Sequence, residues 1–321
     1  MGRARMVGEW RKATGISRLH VLMSRPRRRP PQDFLTDIAV EDDGGRTRLA
    51  QPWSKNKLGI LASYTSAFAL ACKSAGQFYF VDAMAGPGVY RFANTNEHLL
   101  GSTMIALGTE PVFHRVLSMD LEPSNVRALQ ERTRQYSERS VVLRGDANED
   151  LVAAMTEHIN ARAPIFVLLD PEGTELRFQT VESVASFRQS GQKAEILVLL
   201  ASSFLERLLP NDGEFVDRNI DAINRVLPST GWQELWERKQ AGEITSEEER
   251  AGYANQYQAW LRDSLKYRYT AARRITRPGS DATVYHLVFA TDHKVGDRIM
   301  ADIFSSMYPN EPPRLPGFDT R

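Results

Sequence analysis

Short apolar runs alternate with amphipathic stretches along the middle of the chain. Four stretches carry apolar residues at helical spacing, over residues 57–73, 126–136, 151–159 and 181–190. Five runs are rich in β-branched, aromatic and leucine residues and end at a polar or turn residue, over 78–81, 112–119, 141–143, 165–169 and 196–200. Strands that are apolar throughout and are separated by helices are typical of a parallel sheet covered on both faces. The pattern therefore predicts an α/β fold.

The C-terminal third of the chain breaks this alternation. Residues 203–266 are predicted to be mostly helical, which we interpret as an insertion and a candidate cap over a site. Two β-rich runs, 269–276 and 284–291, are joined by a short turn-rich link and predict an antiparallel hairpin. A mainly parallel, seven-stranded sheet that ends in such a hairpin is the arrangement of the Rossmann-like class I methyltransferase fold. We therefore expect that fold class, with a helical insertion.

Residues 1–50 differ in composition from the rest. The run from Ser24 to Pro31 consists of serine, arginine and proline, and the run from Glu41 to Gly45 is acidic and turn-like. Because neither run is suited to a core element, we expect a flexible, basic and polar extension ahead of a methyltransferase-like domain over residues 51–321. An arm that grips nucleic acid is the alternative interpretation, and Met23 offers an alternative start of translation.

Composition and charge narrow the function only slightly. The 321 residues include 41 lysines and arginines against 40 acidic residues, so the net charge gives no support to nucleic-acid binding, although this total does not exclude a local basic groove. The single cysteine, Cys72, excludes an internal disulfide framework and a cysteine-based metal site. Because the sequence has neither a long apolar run nor a signal-peptide pattern, we expect a cytoplasmic protein with no membrane partner.

Four of the predicted strands are each followed by an aspartate. The carboxyl ends of parallel strands lie at one edge of a sheet, where ligands bind. The first aspartate begins a loop in which Gly86 and Gly88 allow the backbone to approach a ligand closely. A single acid at such a position is usually a helix cap or a solvated loop residue, but four in order predict a nucleoside site. The four are Asp82, Asp120, Asp146 and Asp170.

The set of loops predicts S-adenosylmethionine as the nucleoside, rather than a dinucleotide. A dinucleotide fingerprint needs a third glycine, but Val89 and Tyr90 follow Gly88. Asp120 comes 32 residues after Gly88, whereas roughly 20 is usual for the ribose acid of that fingerprint. We expect Asp120 to accept the ribose hydroxyls and Asp146 to bind the adenine amino group. The candidate cofactor-binding residues are Asp82, Ala83, Gly86, Gly88, Ser102, Asp120, Leu121, Asp146 and Ala147.

The order of motifs resembles that of the three-Cys-motif partner proteins, over roughly residues 53–304. The matching segments are Trp53-Ser54-Lys55-Asn56-Lys57-Leu58 with Tyr64, Asp82-Ala83-Met84-Ala85-Gly86-Pro87-Gly88, Gly101-Ser102, Asp170-Pro171-Glu172-Gly173 and Tyr285-His286-Leu287-Val288-Phe289-Ala290. The resemblance implies a class I methyltransferase-like fold and a separate partner protein that carries the three cysteines. Ala83 and Met84 stand where the family usually has a leucine and a phenylalanine, which is a conservative departure.

Asp170 and Glu172 are the candidate catalytic residues. Asp170-Pro171 is similar to the start of the Asp/Asn-Pro-Pro-aromatic motif of amino-group methyltransferases, in which the polar side chain accepts a hydrogen bond from the target amine. We expect Asp170 to orient the acceptor and Glu172 to be a second contact or a base, with a solvated loop acid as the alternative for Glu172. Glu172 and Gly173 occupy the last two positions of the motif, so its stacking aromatic is absent and a nucleobase acceptor is not favoured.

The sequence thus predicts an S-adenosylmethionine-dependent methyltransferase that aligns donor and acceptor. Two alternatives stay open: a binding or regulatory partner that keeps the fold and ligand without transferring a methyl group, and a nucleotide-handling component of a defence system. No metal is predicted, since no His, Asp and Glu set has metal-ligand spacing. Ser102 either begins a helix whose N–H groups face the site or serves as that helix's N-cap.

Overall fold

The computed structural model describes residues 31–188, 191–209 and 213–307. Its strands are β1 (Ala39–Val40), β2 (Arg48–Ala50), β3 (Tyr79–Asp82), β4 (Val89–Phe92), β5 (Glu97–Leu100), β6 (Arg115–Asp120), β7 (Ser140–Arg144), β8 (Ile165–Leu169), β9 (Glu195–Leu200), β10 (Tyr269–Thr276) and β11 (Thr283–Thr291). The α-helices within the same residues are α1 (Ser54–Ala71), α2 (Ser102–Gly108), α3 (Pro123–Thr133), α4 (Ala147–His158), α5 (Phe178–Ser186), α6 (Ser202–Leu208), α7 (Gly213–Val226), α8 (Trp232–Gln240), α9 (Ser246–Asp263) and α10 (Lys294–Met307). Short 3-10 turns cover Pro31–Leu35, Lys73–Ala75 and Arg134–Tyr136.

The larger of two sheets has seven strands in the order β10-β11-β9-β8-β3-β6-β7. Strands β3, β6 and β7 run parallel to one another, whereas β11 is antiparallel to both β9 and β10. When only the strands of this sheet are counted along the chain, β9 is the fifth, β10 the sixth and β11 the seventh. The antiparallel β11 therefore lies between the fifth and the sixth strand. This order is that of the class I methyltransferase-like fold, and it confirms the predicted fold class, including the C-terminal hairpin.

Backbone proximity divides the described residues into two compact units. The first comprises the described part of Met1–Asp146 together with Ala153–Phe166, and the second comprises Ala147–Val152 and the described part of Val167–Arg321. In the first unit, aromatic rings form a core in which Phe68 stacks on Phe113 at 6.0 Å between ring centres. Phe78 contacts Phe113 edge-on at 5.1 Å, an arrangement that aromatic pairs prefer.

Four helices of the second unit, α6 to α9, fall where the sequence predicted the helical insertion. Tyr253 and Tyr257 of α9 are fully buried, so the aromatic stripe on this helix packs the interior. Trp260 is half-buried and meets Tyr257 edge-on. Glu249 on the same helix is also fully buried, and its carboxylate binds the Lys239 ammonium at 2.8 Å and the Tyr253 hydroxyl at 2.6 Å. These partners offset the cost of burying its charge.

Residues 31–50 require a correction to the flexible extension expected over residues 1–50. Phe34 and Ile38 are buried in the first unit, and a smaller, four-stranded sheet in the order β1-β5-β4-β2 includes both strands of this segment. Their pairing is remote in sequence: Ala39 lies opposite Leu99, and Arg48 lies opposite Tyr90. Strands of two and three residues have no visible periodicity of their own, so the sequence pattern missed them. The run of arginine and proline before residue 31 lies outside the described residues.

Two further strands of the small sheet were not predicted. β4 and β5 form an antiparallel pair directly after the glycine-containing loop, with Val89 opposite Leu100. The strand predicted over 112–119 begins three residues later than expected and covers Arg115–Asp120, and Val112 is exposed.

Within the described ranges, no helix has both the length and the apolar character needed to cross a membrane.

Candidate functional site

The glycine loop, defined as residues 83–88, follows strand β3 in the first unit. Asp82 ends this strand and is fully buried, with its Oδ2 accepting a hydrogen bond from the Thr103 hydroxyl at 2.8 Å. The Thr103 hydroxyl also lies 2.8 Å from the Ser118 hydroxyl of β6. Ala83 is buried as well. Of the predicted cofactor-binding residues, Asp82 is therefore bonded within the interior at the start of the glycine loop, and Ala83 is the buried first residue of that loop.

Gly86 and Gly88 both adopt positive φ angles, 62° and 87°, which side-chain-bearing residues rarely adopt. A Cβ atom at Gly88 would lie 2.7 Å from Cδ1 of Leu129, and the Gly88 carbonyl accepts the N–H of Gly101 at 2.8 Å. Around Gly86 the nearest atom to such a Cβ is 3.8 Å away, on the Arg48 guanidinium. Gly88 thus fixes the packing of the loop, whereas Gly86 leaves room beside its backbone.

Asp120 ends β6, the neighbouring strand, and is 9% exposed. Its Oδ2 accepts the Gly86 N–H at 2.7 Å, which ties the carboxylate to the glycine loop. Its Oδ1 accepts the Glu122 N–H at 2.9 Å and the Asn125 amide at 3.1 Å. A carboxylate offers about four acceptor positions. Three are occupied here, so about one acceptor position remains for a ligand hydroxyl.

The residues around Asp120 offer further contacts. Leu121 is 64% exposed and presents an apolar surface next to the carboxylate. Ser102 is the first residue of α2 and is buried; Gly101 is the N-cap, so the N-cap interpretation of Ser102 is wrong. Asp146 is half-buried after β7, one residue beyond Gly145, whose N–H binds the Asp120 carbonyl at 3.2 Å.

Positive charge lies close to the same loop. The Arg48 guanidinium is 5.9 Å from the centre of the Tyr90 ring, and the Lys57 ammonium is 5.6 Å from it. Cations at such distances are attracted by the ring's quadrupole. Lys57 and Tyr90 are both buried, and the Arg48 side chain is the one that a Cβ at Gly86 would contact first. This side of the loop therefore suits an anionic group.

Arg132 is a buried residue of the site that the sequence did not reveal. Its guanidinium donates to both carboxylate oxygens of Asp43, at 2.7 and 2.6 Å, and to the carbonyls of Arg46 and Pro87, each at 2.6 Å. The hydrogen bonds from Arg132 hold the pKa of the Asp43 carboxyl below its usual value. The sequence did not reveal Arg132 because an arginine on an amphipathic helix is expected at the surface. Its partner Asp43 also belonged to the segment that was expected to be flexible.

Asp170 and Glu172 lie in the second unit, in the loop after β8. Asp170 is 4% exposed, and Glu172 is exposed. The Gly173 N–H binds the Glu175 carboxylate at 2.6 Å. A Cβ at Gly173 would lie 3.3 Å from the ring of Phe204, so an aromatic ring from α6 packs on this loop although the loop itself has none.

Asn148 connects two parts of the second unit. Ala147 is buried and begins α4, and the next residue, Asn148, uses its amide to bind the Glu175 carbonyl at 2.8 Å. Its Oδ1 accepts the Arg177 N–H at 2.9 Å and the Thr180 hydroxyl at 2.8 Å. The start of α4 is thereby fixed to the segment that follows the Asp170 loop. Among the described residues, no group of three or more His, Cys, Asp and Glu side chains could hold a metal ion.

A buried pair joins β11 to the start of α6. The Ser202 hydroxyl lies 2.8 Å from Nδ1 of His286, and both residues are fully enclosed. Burial, with a smaller effect of Arg274 and Arg250, lowers the pKa of His286 to about 3. The imidazole is therefore neutral at physiological pH. Because both side chains are buried, the Ser202 hydroxyl cannot reach a substrate as a nucleophile.

Comparison with known proteins adds little. No protein-family model matches the chain, and no curated protein matches it. Among solved structures, M. jannaschii TYW2 in complex with AdoMet aligns with a TM-score of 0.38 at 11% identity, over 79% of this chain and 84% of that chain. Protein LPL1258 from Legionella pneumophila gives 0.40 at 10% identity over 77% and 92%, and an rRNA methylase from Streptococcus thermophilus gives 0.35 at 12% over 75% and 96%. The order of the strands in the seven-stranded sheet, and not these alignments, identifies the fold.

Proposed function

We propose that the chain is an S-adenosylmethionine-dependent methyltransferase. The observation that carries the proposal is the hydrogen bond from the Gly86 N–H to the Asp120 carboxylate. It joins a glycine loop to an acid at the ends of adjacent parallel strands, within a sheet of class I methyltransferase order. This edge is where nucleosides bind in open α/β sheets.

The chemistry of this region fits the adenosyl cofactor group by group. Asp120 would hold the ribose, and exposed Leu121 would cover one face of the adenine, with Asp146 on its amino group. Gly86 leaves backbone space, and Arg48 and Lys57 supply positive charge for the carboxylate of the methionine part. When bound, S-adenosylmethionine supplies a methyl group that is already activated as a sulfonium.

Because the methyl group comes activated, the chain's own task would be orientation and exclusion of water. We assign Asp170 the role of orienting the acceptor through a hydrogen bond to its attacking atom. Glu172, which is exposed, would be the second contact or the base that removes a proton from the acceptor. Phe204 and Asn148 would keep the Asp170 loop in place through their contacts at Gly173 and Glu175.

We further propose membership of the three-Cys-motif partner proteins and a separate protein partner that supplies the three cysteines. The support is the order of the matching segments from Trp53 to Ala290. The chain itself has one cysteine, Cys72, so a cysteine cluster would have to come from the partner.

One observation favours a second function, that of a non-catalytic binding partner. Asp170 is 4% exposed, which leaves little of its carboxylate accessible to an acceptor. A chain that binds S-adenosylmethionine and does not transfer its methyl group would be consistent with this burial.

A turnover measurement distinguishes the two. The full chain is incubated with methyl-labelled S-adenosylmethionine and, separately, with RNA, DNA, protein and small-molecule fractions, while label transfer and S-adenosylhomocysteine are measured. We expect label in one fraction, and a loss of at least about a hundredfold in Asp170→Ala with cofactor binding retained. Arg177→Gln, which removes an exposed ion pair with Glu149, is the matched control. Cofactor binding without label in any fraction would contradict the enzyme and favour the binding partner.

A further inference from the structure

We propose that residues 42–46, called the strap, position the glycine loop and Asp120 for ligand binding, through the positioning residues Asp43 and Arg132. The identity of the ligand rests on the proposed function, whereas the coupling of the strap to the loop rests on contacts within the first unit. The sequence assigned this segment to a flexible extension, but in the structure it is connected to the glycine loop through Arg132 and to Asp120 through Asn125.

The first connection passes through Arg132. Its guanidinium is buried and binds four acceptors, of which the Asp43 carboxylate and the Arg46 carbonyl belong to the strap and the Pro87 carbonyl belongs to the loop. The planar guanidinium presents five donors in a fixed geometry, so one side chain holds all these groups in register. A Cβ at Gly45 would lie 2.9 Å from the same guanidinium, which shows how closely the strap approaches it.

The second connection reaches Asp120. Nε of Arg46 donates to the Asn125 amide oxygen at 2.8 Å, and the Asn125 nitrogen donates to Asp120 Oδ1 at 3.1 Å. Because Asp120 Oδ2 accepts the Gly86 N–H, the strap, the carboxylate and the loop form one continuous set of hydrogen bonds. Asp120 is thereby held from both of its oxygens.

The strap also has its own anchor. The N–H groups of Gly44 and Gly45 bind the carboxylates of Asp42 and Asp43, which shapes the strap as two consecutive turns. On the N-terminal side of the strap along the chain, the Ile38 carbonyl accepts the Leu100 N–H at 2.8 Å, next to the pairing of β1 with β5. A segment fixed in this way can hold a loop whose glycines would otherwise sample many conformations.

The test measures the affinity of the full chain for S-adenosylhomocysteine by calorimetry, and the hydrogen exchange of the Gly86 amide without ligand. Asp43→Ala and Arg132→Lys each disrupt the clamp, defined as the hydrogen bonds that the Arg132 guanidinium makes to Asp43, Arg46 and Pro87. Lysine keeps the charge but cannot reach all four acceptors. Asp43 is 34% exposed, so its variant is the milder perturbation of the fold. The control is Arg134→Gln, which removes an exposed ion pair with Glu131 just after α3.

We expect both clamp variants to weaken the binding of S-adenosylhomocysteine roughly tenfold and to speed exchange at Gly86, while exchange in α1, which belongs to the same unit, stays unchanged. The control variant should match the wild type in affinity and in exchange. A purely structural role would instead raise exchange in α1 together with Gly86, because both lie in the first unit. Unchanged affinity or unchanged Gly86 exchange in a folded clamp variant overturns the proposal. If the wild type does not bind, the proposed function fails separately, and Gly86 exchange alone then decides whether the strap positions the loop.

Discussion

At the scale of single residues, the two glycines of the loop illustrate how surroundings decide the effect of a substitution. Gly86 and Gly88 share a positive φ, which costs a residue with a side chain about 1–2 kcal/mol. Both glycines are buried, but only at Gly88 would a Cβ clash, with Leu129 and Met104, whereas at Gly86 it would make ordinary contact with Arg48. Gly88 therefore serves packing, and Gly86 is the glycine at which a side-chain carbon finds space.

We expect Gly88→Ala to lower the free energy of unfolding by about 2–4 kcal/mol, since it adds a 2.7 Å contact with Leu129 to the backbone strain. Gly86→Ala, its matched control, should cost only the backbone strain of about 1–2 kcal/mol. Urea unfolding of both variants measures the difference. Equal costs at the two positions would contradict this account of the loop.

At the scale of elements, the pair of Ser202 and His286 joins α6 to β11 and links stability to pH. In the unfolded chain the imidazole has its ordinary pKa near 6.5, whereas in the folded protein burial lowers the pKa to about 3. Between these two values the unfolded state binds the additional proton. Stability from this group is therefore complete above about pH 6.5 and falls as the pH decreases toward 3.

His286→Asn removes this titration and keeps a hydrogen-bonding group opposite Ser202. Between pH 7 and pH 5 we expect the wild type to lose about 2 kcal/mol more unfolding free energy than the variant. Ser202→Ala leaves the imidazole buried and should retain the wild-type slope. Urea unfolding at several pH values measures these slopes, and parallel slopes for the wild type and His286→Asn would show that the imidazole does not titrate as described.

At the scale of the whole molecule, the sequence predicted what depends on long apolar strands and their ends. The run 165–169 coincides with β8, and Asp82, Gly86, Gly88 and Asp120 were identified as strand-end residues that meet in the first unit. The strap and the small sheet were missed because two- to four-residue strands depend on partners far along the chain, as in the pairing of Arg48 with Tyr90. Arg132 was missed because burial of a helix arginine by a remote segment leaves no local signal.

The central claim is that the edge formed by the glycine loop and Asp120 binds an adenosyl ligand. Calorimetric titration of the full chain with S-adenosylmethionine, with NAD as the control ligand and Asp120→Ala as the variant that alters the site, tests it most directly. We predict a dissociation constant on the order of micromolar for S-adenosylmethionine, weakened at least roughly tenfold in Asp120→Ala, and no measurable heat with NAD. Absence of S-adenosylmethionine binding by the folded wild type, or equal binding by Asp120→Ala, would contradict the claim.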